Sequence, residues 1–240
     1  MTRSGPRSAA RAALVTGGAR RIGAAIARRL ALGGYTVVVT YRDSRAEAEA
    51  LAAEIGGRAC FLDLEAPRGL SRLAGIVEKN FGRLDLLVHN AAVFPRTPAG
   101  SVSDRDWDRI FAINVRGPFL LTQRLLPLLR RARGAGRLRL PNSGGAVLFV
   151  GDAGARQMWP GYLPYCLSKL ALEAQVRAWR KVLSPGIRVG IVRPGLALIP
   201  PGFPEEAWER LRSRGGRAGL DSPAKVAGAV LRFAQGGRYN

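Results

Sequence analysis

Thr16-Gly17-Gly18-Ala19-Arg20-Arg21-Ile22-Gly23 follows directly on a short apolar run at 13–16 and opens a stretch of helical periodicity at 21–32. A turn of small residues between a strand and a helix lets backbone N–H groups approach a pyrophosphate, and the helix N-terminus adds its partial positive charge. Glycine spacing alone is a weak signal, so the strand, turn and helix around it carry the reading.

Outward from this octet the same alternation continues. Short, β-branched apolar runs at 36–41, 58–61, 84–89, 146–150 and 188–192 read as further strands. Between and after them, helical patterns occupy 44–55, 69–81, 104–133 (interrupted near Gly117 and Pro118), 163–183 and 222–233. The last has Ser222 as cap and Pro223 at its first helical position. Strands alternating with helices predict an α/β fold, a doubly wound parallel sheet with helices on both faces. A chain of 240 residues suits one such domain over 1–240. Residues 1–11 read as a flexible tail and 134–145, rich in Gly and Arg, as a surface loop.

Composition removes several classes. At 47% hydrophobic and 23% charged residues, the chain is neither disordered nor a coiled coil overall. It contains no run of roughly 18 apolar residues and no signal-peptide core, so a cytoplasmic protein without a membrane partner is expected. Two cysteines, Cys60 and Cys166, and the single His89 offer neither a disulfide framework nor a metal site. The net charge of +21 is unusual, and all but Lys79, Lys169, Lys181 and Lys225 among the 38 basic side chains are arginine. Such a surface attracts nucleic acid or anionic small molecules. The arginines are scattered, no nucleic-acid motif accompanies them, and a nucleic-acid partner is not expected.

The end of the second strand selects the cofactor. A carboxylate there favours NAD, whereas this chain reads Tyr41-Arg42-Asp43-Ser44, in which Arg42 and Ser44 can donate to a 2′-phosphate. Asp43 complicates the reading, and the net positive charge tips it toward NADP(H). Further on, Tyr165 and Lys169 stand four residues apart, one turn apart on one helix face. A neighbouring cation should lower the tyrosine pKa and make Tyr165 a proton donor or acceptor near neutrality.

Taken in order, these marks resemble the short-chain dehydrogenase/reductases, and most closely the pteridine reductases and the dihydromonapterin or dihydrofolate reductases. The ordered marks are the glycine turn at 16–23, Asp63 with Leu64 after the third strand, Asn90-Ala91 after the fourth, Asn114, the Tyr165 and Lys169 pair, and Pro194-Gly195. The resemblance implies a Rossmann domain with strand order 3-2-1-4-5-6. It implies NADPH held by Thr16, Gly17, Arg21, Ile22, Gly23, Tyr41, Arg42, Ser44, Asp63, Leu64, Asn90, Ala91, Lys169, Pro194 and Gly195. Tyr165, Lys169 and Asn114 would serve catalysis.

The pterin branch is suggested by departures from the wider family. Arg21 replaces the middle glycine, Asp152 stands where a serine is usual, and Phe94 aligns with a pterin-stacking aromatic. A carboxylate polarises a carbonyl oxygen poorly but can pair with ring N–H groups or relay a proton to a ring nitrogen. Arg21, Phe94, Asp152 and Tyr165 are therefore the expected substrate contacts and Asp152 joins the catalytic set, with a pterin-like small molecule as partner. His89, in place of an asparagine, reads as a strand-end residue, and Ala197 stands where the pterin enzymes carry a hydroxyl. The chain ends at Asn240 without the seventh strand that helps build the tetramer of its relatives; a homo-oligomer is still expected. Two other functions stay open: a carbonyl reductase acting on a ketone, quinone or acyl thioester, and a non-catalytic NADP(H)-binding regulator.

Overall fold

Along β1 (Arg11–Val15), Ala13 and Val15 pack into one buried cluster while Ala12 and Leu14 pack into another. Such alternation needs apolar cover on both sides of a sheet. The computed structural model describes residues 11–132, 144–199, 203, 205–213 and 222–237. Strands β1, β2 (Tyr35–Tyr41), β3 (Arg58–Phe61), β4 (Leu86–His89), β5 (Ala146–Val150) and β6 (Arg188–Val192) pair in parallel. Their order is 3-2-1-4-5-6, with Val15 opposite both Val39 of β2 and Val88 of β4.

On one face lie α1 (Arg21–Leu32), α2 (Arg45–Glu54) and α8 (Pro223–Ala234), burying Ile26, Leu30, Leu51, Val230 and Phe233. On the other lie α3 (Pro67–Phe81), α5 (Gly117–Arg130) and α6 (Leu163–Leu183), burying Leu70, Leu73, Leu121, Leu125, Leu172 and Trp179. Each fully buried leucine contributes about 1.5–3 kcal/mol of transfer free energy, so the core sits in these two layers. Ser222 caps α8 by accepting the Lys225 N–H at 3.3 Å, as its sequence predicts.

Several boundaries differ from expectation. Arg11, assigned to the tail, begins β1: its guanidinium lies over the Tyr35 ring and donates to the Gly33 carbonyl. The strand predicted from Leu84 begins at Leu86, because the Leu84 N–H bonds the Leu128 carbonyl of α5 instead. Of the predicted 134–145 loop only Gly144 and Gly145 are described, and both are buried, not at the surface. The remainder, like residues 1–10, lies outside the described residues.

The long helical pattern after β4 is α4 (Asp104–Phe111), a π-helical turn at Ala112–Arg116, and α5. Pro118 has no N–H for the Asn114 carbonyl, and the Gly117 N–H reaches back five residues to Ala112. The interruption thus falls one turn before the Gly117-Pro118 pair that causes it. A short helix, α7 (Glu205–Ser213), was not anticipated; nine charged-rich residues are too few for periodicity to stand out.

Candidate active site

The β1–α1 turn is built around two close approaches. Gly17 has φ +59°, and a Cβ on it would lie 3.0 Å from the Ala91 Cα. A Cβ on Gly23 would meet the Gly17 carbonyl oxygen at 2.2 Å. Asn90 Nδ2 donates to the Thr16 and Gly17 carbonyls, each at 3.0 Å, and fixes the turn against the end of β4. Thr16 was expected at the cofactor. Its side chain is instead buried and accepts the Asn90 and Ala91 N–H groups at 3.0 and 3.1 Å, so it shapes the site without lining it.

A cleft of about 460 Å³ opens at the carboxyl ends of the strands. Of the residues expected to hold the cofactor, Gly17, Arg21, Ile22, Gly23, Tyr41, Arg42, Ser44, Asp63, Leu64, Asn90 and Ala91 line it. Arg20, also in the lining and paired with Glu47 at 3.6 Å, was missed. The predicted Lys169, Pro194 and Gly195 lie outside this lining, with Lys169 buried beneath the site. The first turn of α1 contains no acidic residue, and its N-cap Arg20 supplies no side-chain cap. The positive end of the helix and its N–H groups are therefore left for an anion, which fits a dinucleotide pyrophosphate.

At the far end of the cleft Arg42 is already engaged. Its Nε donates to Asp43 Oδ2 at 2.9 Å and its Nη1 to Glu65 Oε1 at 3.3 Å. The Arg42 hydrogen bond holds the Asp43 carboxyl below the usual carboxylate range. Asp43 thus turns onto Arg42, while Ser44 is buried at the start of α2. Asp63 accepts the Glu65 N–H at 2.9 Å and steadies the loop after β3. Arg21, left-handed at φ +54°, reaches from the turn to donate to the Ile199 carbonyl on the loop after β6.

Helix α6 brings the reactive groups together. Tyr165 Oη donates to Asp152 Oδ2 at 2.6 Å, and Asp152 Oδ1 accepts the Gly154 N–H at 2.7 Å. Lys169 Nζ donates to the Val150 carbonyl at 3.0 Å and lies 5.7 Å from the Tyr165 ring centroid. Asn114, on the π turn, accepts the Val93 N–H and donates to Ser168 Oγ, tying the β4 loop to α6. The expected lowering of the Tyr165 pKa is overturned. Burial, reinforced by the Asp152 carboxylate, pushes the phenol well above its usual range, and Tyr165 is a neutral donor here. Burial also pushes the Lys169 ammonium down to about 8, although Asp152 opposes it.

Phe94 stands beside these groups. It stacks on Tyr162 with centroids 4.4 Å apart and meets Tyr165 edge-on at 4.4 Å and Trp159 edge-on at 6.0 Å. Tyr162 and Trp159 carried no sequence signal, because only the loop leading into α6 folds them onto Phe94. The result is an aromatic wall with a proton donor and a carboxylate at its base, suited to a planar ring. His89, buried and bonded to Thr122 at 2.8 Å, takes no part.

Residues 17–231 match the family model described as Enoyl-(Acyl carrier protein) reductase. Human dehydrogenase/reductase SDR family member 4 is 36% identical over 218 residues, which cover 87% of this chain and 72% of that protein. The chain is a short-chain dehydrogenase/reductase. D-threitol dehydrogenase of Mycolicibacterium smegmatis is 34% identical over 82% of this chain and 73% of that protein. Among solved structures, FolM alternative dihydrofolate reductase 1 from Brucella canis complexed with NADP aligns with TM-score 0.80 and 32% identity, over 95% of this chain and 88% of that one. A metagenomic short-chain oxidoreductase in complex with NADP aligns with TM-score 0.74 and 27% identity, over 94% and 90%. This short-chain dehydrogenase/reductase is accordingly an NAD(P)-dependent oxidoreductase with a small-molecule substrate. No helix among the described residues is long and apolar enough to cross a membrane.

Proposed function

We propose that the protein is an NADPH-dependent reductase that transfers hydride to a pterin or a similar conjugated C=N heterocycle. The observation that carries this reading is the 2.6 Å hydrogen bond from Tyr165 to Asp152, a carboxylate where a hydroxyl would serve a ketone. An ionised carboxylate accepts hydrogen bonds but cannot donate one to a carbonyl oxygen. It can accept from the amino and ring N–H groups of a heterocycle, and Phe94 with Tyr162 offers that ring an apolar face. Likeness to the Brucella FolM protein supports the same direction.

NADPH, when bound, supplies the hydride. The chain supplies position and the proton. Gly17, Ile22 and Gly23 offer the pyrophosphate a helix N-terminus, while Arg42, Ser44 and Arg20 offer the 2′-phosphate donors and charge. Lys169, buried behind the cleft lining, would hold the ribose when the cofactor is bound, and its Nζ lies 5.7 Å from the Tyr165 ring centroid. Tyr165, once its hydroxyl turns from Asp152 to the substrate, would give its proton to the ring nitrogen, while Asp152 accepts from the amino and ring N–H groups. Asn114 and Ser168 keep α6 in register with the loop after β4.

Steady-state NADPH oxidation against dihydrobiopterin, dihydrofolate, a quinone and a vicinal diketone tests the reading. Activity on the pterins is expected. Asp152→Ser should lower pterin turnover by about 10²–10⁴-fold, the usual contribution of a positioned acid–base group, while diketone reduction holds or rises. Tyr165→Phe should abolish most turnover with little loss of NADPH affinity. A wild-type protein that reduces only the diketone would replace the pterin reading with carbonyl reduction.

A further inference from the structure

Beyond Tyr165 and Lys169, the same face of α6 carries a third polar group one turn further on. Glu173 continues the i, i+4, i+8 stripe and is one of two buried carboxylates among the described residues. The other, Asp85, sits at the opposite end of the sheet, just before β4. Glu173 Oε2 accepts from Arg156 at 2.9 Å and Oε1 from Arg193 at 2.7 Å. Its side chain is 5% exposed, against 34% for Arg193 and 69% for Arg156.

These two arginines belong to the two loops that frame the reacting groups. Arg156 lies in a short 3₁₀ turn, Ala155–Gln157, whose lead-in contains Asp152 and Gly154. Arg193 directly precedes Pro194 and Gly195 on the exit from β6. The loops touch each other through the Ala153 N–H on the Pro194 carbonyl at 2.9 Å, and the strand ends through Gly151 on Val192 at 2.8 Å. The Tyr165–Asp152 bond ties the first loop alone to α6, whereas the Glu173 carboxylate ties both loops to that helix.

We propose that Glu173 is a positioning residue that clamps the Asp152 loop and the Pro194 loop onto α6 and thereby sets the distance between Asp152, Tyr165 and the substrate. Glu173 touches neither substrate nor cofactor. It works through Arg156 on one side and Arg193 on the other, and its position lies beyond the Tyr165 and Lys169 pair that marks the site in the sequence. Burial alone would raise its pKa, but the hydrogen bonds of Arg193 and Arg156 outweigh that and hold the carboxyl below its usual range. The clamp is therefore charged throughout the pH range of folding near neutrality. A small displacement of a reacting group costs about 10²-fold in rate, so losing the clamp should cost turnover before it costs folding.

The test is Glu173→Gln, nearly isosteric and uncharged, compared with Arg156→Met and Arg193→Met. Hydrogen–deuterium exchange on the full chain, with and without NADPH, reads the loops directly and needs no substrate. Glu173→Gln should raise exchange in both 151–157 and 193–199 while α6 and the sheet keep their protection. Arg156→Met should loosen only the first segment and Arg193→Met only the second. With dihydrobiopterin or a vicinal diketone as probe, kcat of Glu173→Gln should fall about 10²-fold with a much smaller change in NADPH affinity. Unchanged exchange in both segments, or an increase spread evenly over sheet and helices, overturns the proposal. So does a lower melting temperature accompanied by wild-type kcat, which would make Glu173 a scaffold residue only.

Discussion

At Lys169, burial and charge act against each other, and the balance falls inside the working pH range. With its ammonium pKa near 8, the residue loses its proton on going from neutral to mildly alkaline pH. Free lysine would keep that proton to about 10.4, so the folded state disfavours the charged form. Between these values the unfolded chain binds more protons, and stability attributable to Lys169 rises with pH, whereas its grip on a ribose weakens. NADPH affinity should therefore decline as pH passes through about 8, with no such limb in Lys169→Met. Fluorescence titration of NADPH from pH 6.5 to 9 measures it, and matching profiles for the two proteins would refute the assignment. Asp43 makes a second residue-scale case. Its carboxylate is spent on Arg42 and faces the proposed 2′-phosphate site, so Asp43→Asn should free a donor and remove a repulsion. NADPH should bind about 2–5-fold more tightly, the scale of an exposed ion pair, with NADH unchanged. Calorimetry decides it; tighter NADH binding would reverse the cofactor reading. Tyr165 and Lys169 were legible because one helix places both, and Asp152 through the family resemblance alone. Tyr162, Trp159, Arg20 and Glu173 were not, since tertiary folding alone gives them partners.

Among the elements, the β1–α1 junction is the least tolerant. A methyl at Gly23 would collide with the Gly17 carbonyl at 2.2 Å, which is backbone and cannot rotate away. Gly23→Ala must therefore push α1 off the turn, opening the Asn90 bonds that hold it. NADPH binding should fall below detection at millimolar cofactor while the far-UV helical signal persists, and a variant with wild-type affinity would show that the turn can yield. The sequence announced this junction, because a strand, small residues and a helix in succession admit few geometries. It announced the Ser222 cap of α8 for the same local reason. The π turn was hidden. Its cause, Pro118, was seen as the break, but a missing N–H acts on the carbonyl four residues earlier, and the widened turn falls there. The same widening leaves the Val115 carbonyl to Gln175 of α6 at 3.1 Å, a partner no local pattern can indicate.

For the molecule as a whole, the doubly wound parallel sheet was readable from the alternation of strands and helices, and its order 3-2-1-4-5-6 from the family resemblance. Stability toward acid was not, because it depends on where one histidine ends up. His89 is 3% exposed at the end of β4, its ring stacked on Phe149 at 4.7 Å and Nε2 bonded to Thr122 at 2.8 Å. Nδ1 has no hydrogen-bond partner among the described residues, so an imidazolium would bury a proton with nothing to accept it. Burial accordingly pushes the His89 pKa down to about 3. In the unfolded chain the ring takes up its proton near pH 6.5, so below that value the unfolded state binds more protons and gains on the native one. Stability should be unaffected by His89 above about pH 6.5 and fall by about 1.4 kcal/mol for each pH unit below it, until the native ring titrates near 3. The chain's charge of +21 adds self-repulsion in the same direction, which a comparison of variants removes. His89→Asn keeps the net charge at pH 7 and abolishes the titration. Urea denaturation of both proteins at pH 7.5, 6.0, 5.0 and 4.5 should give curves whose stability difference shifts in favour of the asparagine protein by about 2 kcal/mol between pH 6 and 4.5. A difference that stays constant with pH would mean that the folded protein admits a protonated His89.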